Sequence, residues 1–211
     1  MTITKETILW RTFTLLGAGE VLVREAGLED AQGLRRMFSR CSQETIYLRL
    51  HLLLPSVPER LIGLLVRDTE DGGRALVVVC KNEIFGHAMY PRDEERDHEA
   101  EFAIVAEDER QASGLGALLL SEIAEEAKRA GVETFMGIVL AKNRQILKFT
   151  LGILPGRICS FRGGTCVIRA PLATPLAERR GLAAKEDREL STQRSCDRAH
   201  NGRDFSERSR Q

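Results

Sequence analysis

One stretch of the chain, residues 101–131, constrains the fold most, because it predicts a strand, a polar loop and a helix in succession. The strand is the apolar run 102–105, which contains a β-branched pair. The helix is predicted to begin near Gly114 and to end at Gly131, after basic residues that suit its last turn. Its apolar positions fall on one helical face: Leu119, Leu120, Ile123, Ala127 and Ala130.

Two glycines, Gly114 and Gly116, lie at the start of this helix. A helix N-terminus carries unpaired backbone N–H groups and a partial positive charge, and glycines let a ligand approach them closely. The pattern indicates a phosphate or pyrophosphate site, although a tight turn or close helix packing would also explain it. A P-loop is excluded because no Gly-Lys-Ser or Gly-Lys-Thr follows. A Rossmann fingerprint is excluded because Leu119 occupies the position of its third glycine.

The composition limits the remaining classes of function. The chain has 211 residues, which suits one domain plus a tail or two very small domains. Its formal net charge of zero argues against a general nucleic-acid binder. No apolar run is long enough to span a membrane, and the N-terminus lacks the pattern of a secretory signal. We therefore expect a cytoplasmic protein that binds neither nucleic acid nor membrane.

The cysteines and histidines do not predict a metal site. The five cysteines are odd in number and form no C-x-x-C pair, which supports neither a zinc site nor a disulfide framework. Cys41 and Cys80 lie in apolar patterns and are expected in the core. The four histidines lack the spacing of metal ligands. His87 is predicted to be a structural residue of a strand, and His98 a loop residue.

Hairpins and helices flank the central stretch. Hairpins are predicted over residues 8–25, 75–90 and 158–169, helices over 29–39, 56–65 and 143–151, and a further strand over 134–140. The second helix is expected to begin with a capping box, Ser56 to Glu59. Asn143 is expected to cap the third. Residues 41–55 have no clean period and are interpreted as a loop with one helical turn that wraps the candidate functional site.

This order of elements predicts an α/β (α+β) fold, with a mixed sheet and helices on both of its faces. The domain is expected to cover residues 8–170. Residues 171–211 form a charged tail with few large apolar side chains. Such a tail cannot offset the entropy cost of ordering, so we expect it to be disordered or loosely helical.

The motif Gln111-x-x-Gly114-x-Gly116, after a short apolar strand and before a second strand, resembles the acetyl-CoA signature of the GNAT acyltransferase superfamily. Over about residues 8–154 the chain is most similar to the catalytic domains of bacterial protein-lysine acetyltransferases, the Pat group. The stretches that match are 23–26 with 29–31, 47–49, 83–86, 100–103, 111–116, and 139–140 with 143–144. The resemblance implies a twisted sheet with splayed central strands and an N-acetyltransferase that uses acetyl-CoA and no metal. It also implies a primary-amine acceptor, with a protein lysine as the leading candidate.

The resemblance also implies a set of cofactor-binding residues. The pantetheine arm of the cofactor would enter the gap between the splayed strands and form backbone hydrogen bonds with Ala103, Ile104 and Val105. The N–H of Val105 would also donate to the oxyanion that forms from the thioester carbonyl. Asn143 resembles the family asparagine that faces the cofactor. The backbone amides of the loop would hold the pyrophosphate: Gln111, Ala112, Ser113, Gly114, Leu115, Gly116 and Ala117.

Acetyl transfer requires a neutral amine, whereas lysine has a reference pKa of about 10.4 and is mostly protonated at neutral pH. The resemblance places the general base at Glu101, acting directly or through a water, and partial burial would make this carboxylate a better base. The alternative is a solvated loop-end carboxylate. The family's tyrosine acid would lie seven residues after Asn143, but Thr150 stands there, so the thiolate would leave unaided.

Tyr47 and Arg49 are candidates to line the acceptor groove, although packing under the loop is the stronger expectation for Tyr47. The missing tyrosine and a shortened helix after Asn143 support a second hypothesis, in which the chain is a catalytically weak acyl-CoA-binding module. A third hypothesis is that the chain is an N-acetyltransferase of small amines or antibiotics.

Overall fold

The computed structural model describes residues 10–15, 19–66, 73–91, 98–154 and 158–172. Part of the first predicted turn, most of the charged loop before residue 98, and the predicted tail beyond Leu172 therefore lie outside the described residues. Leu172 itself is buried, and its N–H donates to the carbonyl of Glu133.

Within these residues the chain forms nine strands and five α-helices. In chain order they are β1 (Trp10–Leu15), β2 (Gly19–Glu25), α1 (Ala31–Arg40), α2 (Gln43–Leu50), α3 (Glu59–Leu65), β3 (Arg74–Cys80), β4 (Glu83–Tyr90), β5 (Glu99–Glu101), β6 (Ala103–Ala106), α4 (Leu115–Arg129), β7 (Thr134–Leu140), α5 (Arg144–Ile153), β8 (Ile158–Arg162) and β9 (Thr165–Pro171). The three predicted hairpins, β1–β2, β3–β4 and β8–β9, are confirmed. None of the described helices is both long and apolar enough to cross a membrane.

The strands form two sheets that meet at the centre of the fold. One sheet has the order β1-β2-β3-β4-β6 and the other β5-β7-β9-β8. β5 and β7 are parallel, and the remaining pairs are antiparallel. The predicted mixed sheet is therefore confirmed.

Residues 99–106 belong to both sheets, because their pairing partner changes at Phe102. β5 pairs with β7, and the N–H of Phe102 still donates to the carbonyl of Met136 at 2.8 Å. From Ala103 onward the chain pairs with β4 instead, where Val105 lies opposite His87. The prediction of one strand over 102–105 is wrong at its start for this reason. Beyond the change, β6 and β7 diverge and leave a gap between them.

The Phe102 ring lies beside β7 where the two strands part. It stacks on the Phe135 ring, with centroids 5.2 Å apart, and both side chains are buried. A Cβ atom at Gly137 would lie only 2.8 Å from Cε1 of Phe102. Since real Cβ atoms do not approach this closely, the ring takes the space that a side chain at Gly137 would need.

Helices cover both faces of the fold, as predicted. α4 buries Leu119, Leu120, Ile123 and Ala127 on one face, while Ala130 stays partly exposed. α4 approaches β4 closely, since a Cβ at Gly86 would lie 2.5 Å from Leu115 Cδ2. On the other face, α1 and α3 form a second core cluster with the sheet: Leu34, Met37, Phe38, Ile62 and Leu65. The packing of α4 against β4 fixes the N-terminus of α4 near the end of β6.

Two local predictions are wrong. Residues 43–50 form a full helix rather than one turn, and the Ser42 Oγ caps it by accepting from the Thr45 N–H at 3.1 Å. The capping box at Ser56 does not form, because α3 begins at Glu59 with Pro58 as its N-cap. The N–H of Ile62 donates to the Pro58 carbonyl, so Ser56 lies outside the helix.

His87 is a structural residue, as expected. It is fully buried, and its Nε2 lies 3.0 Å from the Leu65 carbonyl oxygen. Burial, together with the positive charge of Arg49, lowers the pKa of His87 to about 3, so the ring is neutral at physiological pH. Cys41 and Cys80 are only partly buried but pack against the two core clusters.

Candidate active site

A cavity of about 1130 Å³ opens where β6 and β7 diverge. Its walls are β6, the N-terminus of α4, the last residues of β7, the start of α5 and the inner face of α2. The cavity brings together most of the candidate site residues: Glu101, Ala103, Ile104, Val105, Gln111, Ala112, Gly114, Gly116, Ala117 and Asn143. Leu115 does not line it, because its side chain is buried in the core beneath α4.

The two strand edges that face this cavity have no strand partner within the described chain. β6 pairs with β4 alone, and β7 pairs with β5 only as far as Met136. The residues 103–106 and 137–140 therefore present backbone groups to the gap. An unpaired strand edge binds an extended amide-containing chain through main-chain hydrogen bonds.

The N-terminus of α4 opens into the same cavity. Gly114 is its N-cap and has a φ of +87°, a left-handed conformation that favours glycine. In the first backbone hydrogen bond of the helix, the Leu118 N–H donates to the Gly114 carbonyl at 3.0 Å. The N–H groups of Leu115, Gly116 and Ala117 have no acceptor among the described residues. They form a ready site for an anion.

Two amides of the predicted pyrophosphate loop are already engaged. The Gln111 N–H donates to the Asp108 carbonyl at 3.1 Å, and the Ser113 N–H donates to the Arg110 carbonyl at 3.4 Å. The Ser113 hydroxyl also donates to this carbonyl, at 2.6 Å. These bonds shape the loop before the helix, and they leave the later amides to face the cavity.

Asn143 caps α5, as predicted. Its Oδ1 accepts from the Ile146 N–H at 3.1 Å, and the residue lines the cavity. Thr150 is fully buried on the same helix, where its hydroxyl donates to the Ile146 carbonyl at 2.9 Å. The chain has two tyrosines, Tyr47 and Tyr90, both within the described residues, and neither lines the cavity. No phenol is therefore placed to act as an acid.

Glu101 and Arg49 both line the cavity. Glu101 is exposed, so the partial burial that would make it a better base is absent. Arg49 projects from α2, and its Nε is buried without a hydrogen-bond partner among the described residues. Burial lowers the pKa of Arg49 to about 10, an effect that the nearby charge of Glu101 opposes. The guanidinium therefore remains charged at neutral pH.

Tyr47 does not line the groove but holds a residue that does. The Lys142 Nζ lies 4.4 Å from the centroid of the Tyr47 ring, a cation–π contact between the β7–α5 turn and α2. Lys142 lines the cavity. This contact joins the two sides of the cavity mouth.

A hydrogen-bond network that sequence reasoning missed ties α2 to the glycine loop. Asp108 accepts from the Ser42 N–H at 2.8 Å, the Ser42 hydroxyl at 2.9 Å and the Thr45 hydroxyl at 2.8 Å. Burial alone would raise the pKa of Asp108, but these donors outweigh it and hold the pKa below its usual value. The Gln111 Nε2 lies 3.3 Å from the Thr45 Oγ1. No sequence signal could have revealed this network, because its partners are far apart in the chain.

Within the described residues, no three His, Cys, Asp or Glu side chains are grouped so as to hold a metal ion. The geometry is that of an organic ligand site, with an anion-binding helix end beside an open strand edge. Such a site can accept an elongated ligand that carries both phosphate and amide groups.

A family model described as Acetyltransferase (GNAT) family matches residues 34–152. Among solved structures, the GNAT domain of S. lividans PAT is 23% identical, with a TM-score of 0.70, over 77% of this chain and 96% of that one. YncA from Salmonella typhimurium, which was solved with acetyl-CoA, is 16% identical, with a TM-score of 0.57, over 74% of this chain and 97% of that one. The ribosomal-protein-S18-alanine N-acetyltransferase from Escherichia coli is 14% identical, with a TM-score of 0.57, over 74% of this chain and 96% of that one. At such identities these structures establish the fold alone.

Proposed function

The chain belongs to the acetyltransferase (GNAT) family, and from this premise we propose that it transfers the acetyl group of acetyl-CoA to the side-chain amine of a protein lysine, with Glu101 as general base. The observation that carries this proposal is the gap between β6 and β7, which lies next to the free amides of α4.

Acetyl-CoA fits these two features. Its pyrophosphate suits the N–H groups of Leu115, Gly116 and Ala117, because the end of a helix favours negative charge. Its pantetheine arm contains two amide groups, which suit the unpaired edge of β6. Together these contacts would place the thioester near Val105 and Glu101.

The size of the cavity supports a second substrate. Ordinary ligand sites have volumes of about 300–1,000 Å³, and this cavity reaches about 1130 Å³. An acceptor can therefore enter beside the cofactor, from the side of α2 and Glu101. The resemblance of the sequence to the Pat group, and the likeness in fold to the GNAT domain of S. lividans PAT, favour a protein lysine as that acceptor.

The chemistry requires that the nitrogen lose two protons and that the amine displace the thiolate at the thioester carbonyl. Glu101 would take a proton from the acceptor ammonium, directly or through a water, and the free amine would attack the thioester carbonyl. The new C–N bond forms as the C–S bond breaks, the thiolate leaves, and the nitrogen releases its second proton to the departing thiolate or to water. No cysteine is among the described residues that line the cavity, which favours direct attack over an acylated enzyme. The buried hydroxyl of Thr150 takes no part, so the thiolate leaves without a protein acid.

The first experiment measures acetyl-CoA binding by calorimetry for the wild type, Gly116→Glu and Gly63→Glu. Both glycines are in helices, but Gly116 lines the cavity whereas a Cβ at Gly63 meets open space. A carboxylate near the pyrophosphate should cost roughly 1–3 kcal/mol or more, which is a loss of affinity of at least about fivefold. Gly63→Glu should bind like the wild type. A folded wild type that binds no acetyl-CoA would refute the proposal.

Glu101→Gln tests the role of the base. We expect this variant to bind acetyl-CoA normally and to lose about 10²–10⁴-fold in turnover with a lysine-containing protein, the usual contribution of general base catalysis. Full activity in Glu101→Gln would show that another group, or bulk water, accepts the proton.

The packing of Thr150 favours a second candidate, an acyl-CoA-binding module of low activity. The same titration combined with an acceptor screen separates the two. Binding of acetyl-CoA without acetylation of any folded protein, peptide or small amine would support the module, whereas acetylation of small amines alone would indicate an amine N-acetyltransferase.

A further inference from the structure

Arg49 is a charged side chain to which the proposed chemistry gives no task. It lines the cavity from α2, at the end where the acceptor would enter. Its Nε is buried, and the described chain supplies neither a hydrogen bond to this atom nor an ion pair to the guanidinium. Arg40 of α1 differs in this respect, because its Nε donates to Glu107 at 2.9 Å.

A buried donor without a partner is costly. The penalty is about 1–3 kcal/mol for a neutral group and more for a charged one, so native proteins rarely leave such groups unsatisfied. Where the donor lines a ligand cavity, the ligand can supply the missing acceptor. A guanidinium presents a planar fork of donors that matches the two oxygens of a carboxylate.

The neighbour of Arg49 indicates which ligand this is. Glu101 lines the same end of the cavity, and the two opposite charges interact, although they do not form an ion pair. An acceptor with an ammonium at Glu101 and a carboxylate at Arg49 would match both charges. A simple diamine would match only Glu101 and would leave the guanidinium unsatisfied.

We propose that Arg49 binds a carboxylate of the acceptor, so that the enzyme acetylates amines that carry a carboxylate close by. This inference rests on the proposed function. Two sources can supply the group: an acidic residue beside the acceptor lysine in a protein, or the α-carboxylate of a free amino acid. In both, Arg49 determines specificity, whereas Glu101 acts on the reacting amine.

The test compares two matched pairs of acceptors at saturating acetyl-CoA. One pair is a lysine peptide with a flanking glutamate and the same peptide with glutamine; the other is free lysine and 1,5-diaminopentane. A hydrogen bond to a charged group contributes about 1.5–3 kcal/mol, so the wild type should favour the carboxylate member of a pair about 10–100-fold in kcat/KM. The pair that shows the larger preference identifies the source of the carboxylate.

Three variants show whether Arg49 causes this preference. Arg49→Gln should abolish it, and Arg49→Lys, which keeps the charge but not the fork, should retain only part of it. Arg129→Gln is the matched control, because Arg129 is exposed in the last turn of α4 and does not line the cavity. Its preference should equal that of the wild type. Thermal melting of each variant confirms that it is folded.

Two results would overturn the inference: a wild type without any preference, or an Arg49→Gln variant that loses the same factor with both members of a pair. The second result would mean that Arg49 acts on Glu101 or on the fold. Calorimetric binding of both peptides to the CoA-loaded enzyme provides a readout that does not need turnover. If acetyl-CoA binds but no acceptor is acetylated, the proposed function fails, and the inference then stands only if Arg49 still discriminates between the peptides in binding.

Discussion

Replacing Gly137 by alanine perturbs the point at which β6 and β7 part. A methyl group there would lie 2.8 and 2.9 Å from two carbons of the Phe102 ring, whereas carbon atoms in contact prefer about 3.5–4.0 Å. The ring cannot simply move away, because it is buried and stacked on Phe135. Either β7 or Phe102 must therefore shift.

The magnitude follows from two opposing effects. Overpacking of a well-packed core costs about 1–3 kcal/mol, whereas alanine reduces the entropy of the unfolded chain and returns about 0.4–1 kcal/mol. Overpacking wins, so we expect Gly137→Ala to lower the free energy of unfolding by about 1–2 kcal/mol. For a domain of this size such a loss corresponds to roughly 2–8 °C in Tm.

Urea denaturation followed by circular dichroism measures this loss. Gly152→Ala is the control, because Gly152 is an exposed residue of α5 and its added methyl would meet nothing within 4 Å. This control should gain about 0.5–1 kcal/mol, the helix preference of alanine over glycine. In a double variant, Phe102→Leu should recover part of the loss caused by Gly137→Ala. A Gly137→Ala protein within about 0.5 kcal/mol of the wild type, or strictly additive effects in the double variant, would refute the reasoning.

Three further changes test other parts of the structure. The folded-state pKa of His87 is about 3, whereas an unfolded histidine has a pKa of about 6.5 and a full proton difference is worth about 1.4 kcal/mol per pH unit. Stability should therefore be complete above the unfolded pKa and decline as the pH falls from there toward 3. His87→Leu should flatten that decline in an acid titration, and an unchanged slope would contradict the assignment. Asn143→Ala removes the cap of α5 and should cost about 1 kcal/mol in thermal unfolding; no loss would show that the cap is redundant. Ala112 has a φ of +62°, so Ala112→Gly should relieve about 1–2 kcal/mol of left-handed strain and lose about 0.4–1 kcal/mol to chain entropy. A lower Tm in this variant would argue against strain at Ala112.

Local patterns predicted the parts of the fold that are determined locally. The apolar face of α4 and the strand β7 were predicted from sequence because the spacing of apolar residues that marks a helix or a strand is visible within a short run of the chain. The change of partner at Phe102 was missed, because hydrogen-bonding partners are chosen by distant strands. Residues 99–101 are mostly charged and residues 103–106 are apolar, but neither composition specifies which strand each segment pairs with.

The candidate site divides in the same way. The loop around Gly114 and the cap at Asn143 were found because their short motifs report on helix ends. The helix α2 was missed because its apolar residues face both the core and the cavity, which blurs the period. The bonds of Asp108 to α2 and the unsatisfied Nε of Arg49 arise only when segments distant in sequence meet.

The segment 99–106 also bears on how the chain folds and unfolds. It contributes strands to both sheets, so neither half of the molecule can complete its hydrogen bonding while the other is unfolded. Its parallel pairing with β7 joins residues that are separated by the whole of α4, which adds contacts of high sequence separation to the folding transition. The two halves should therefore unfold as one cooperative unit, and catalytic activity and global structure should disappear at the same urea concentration.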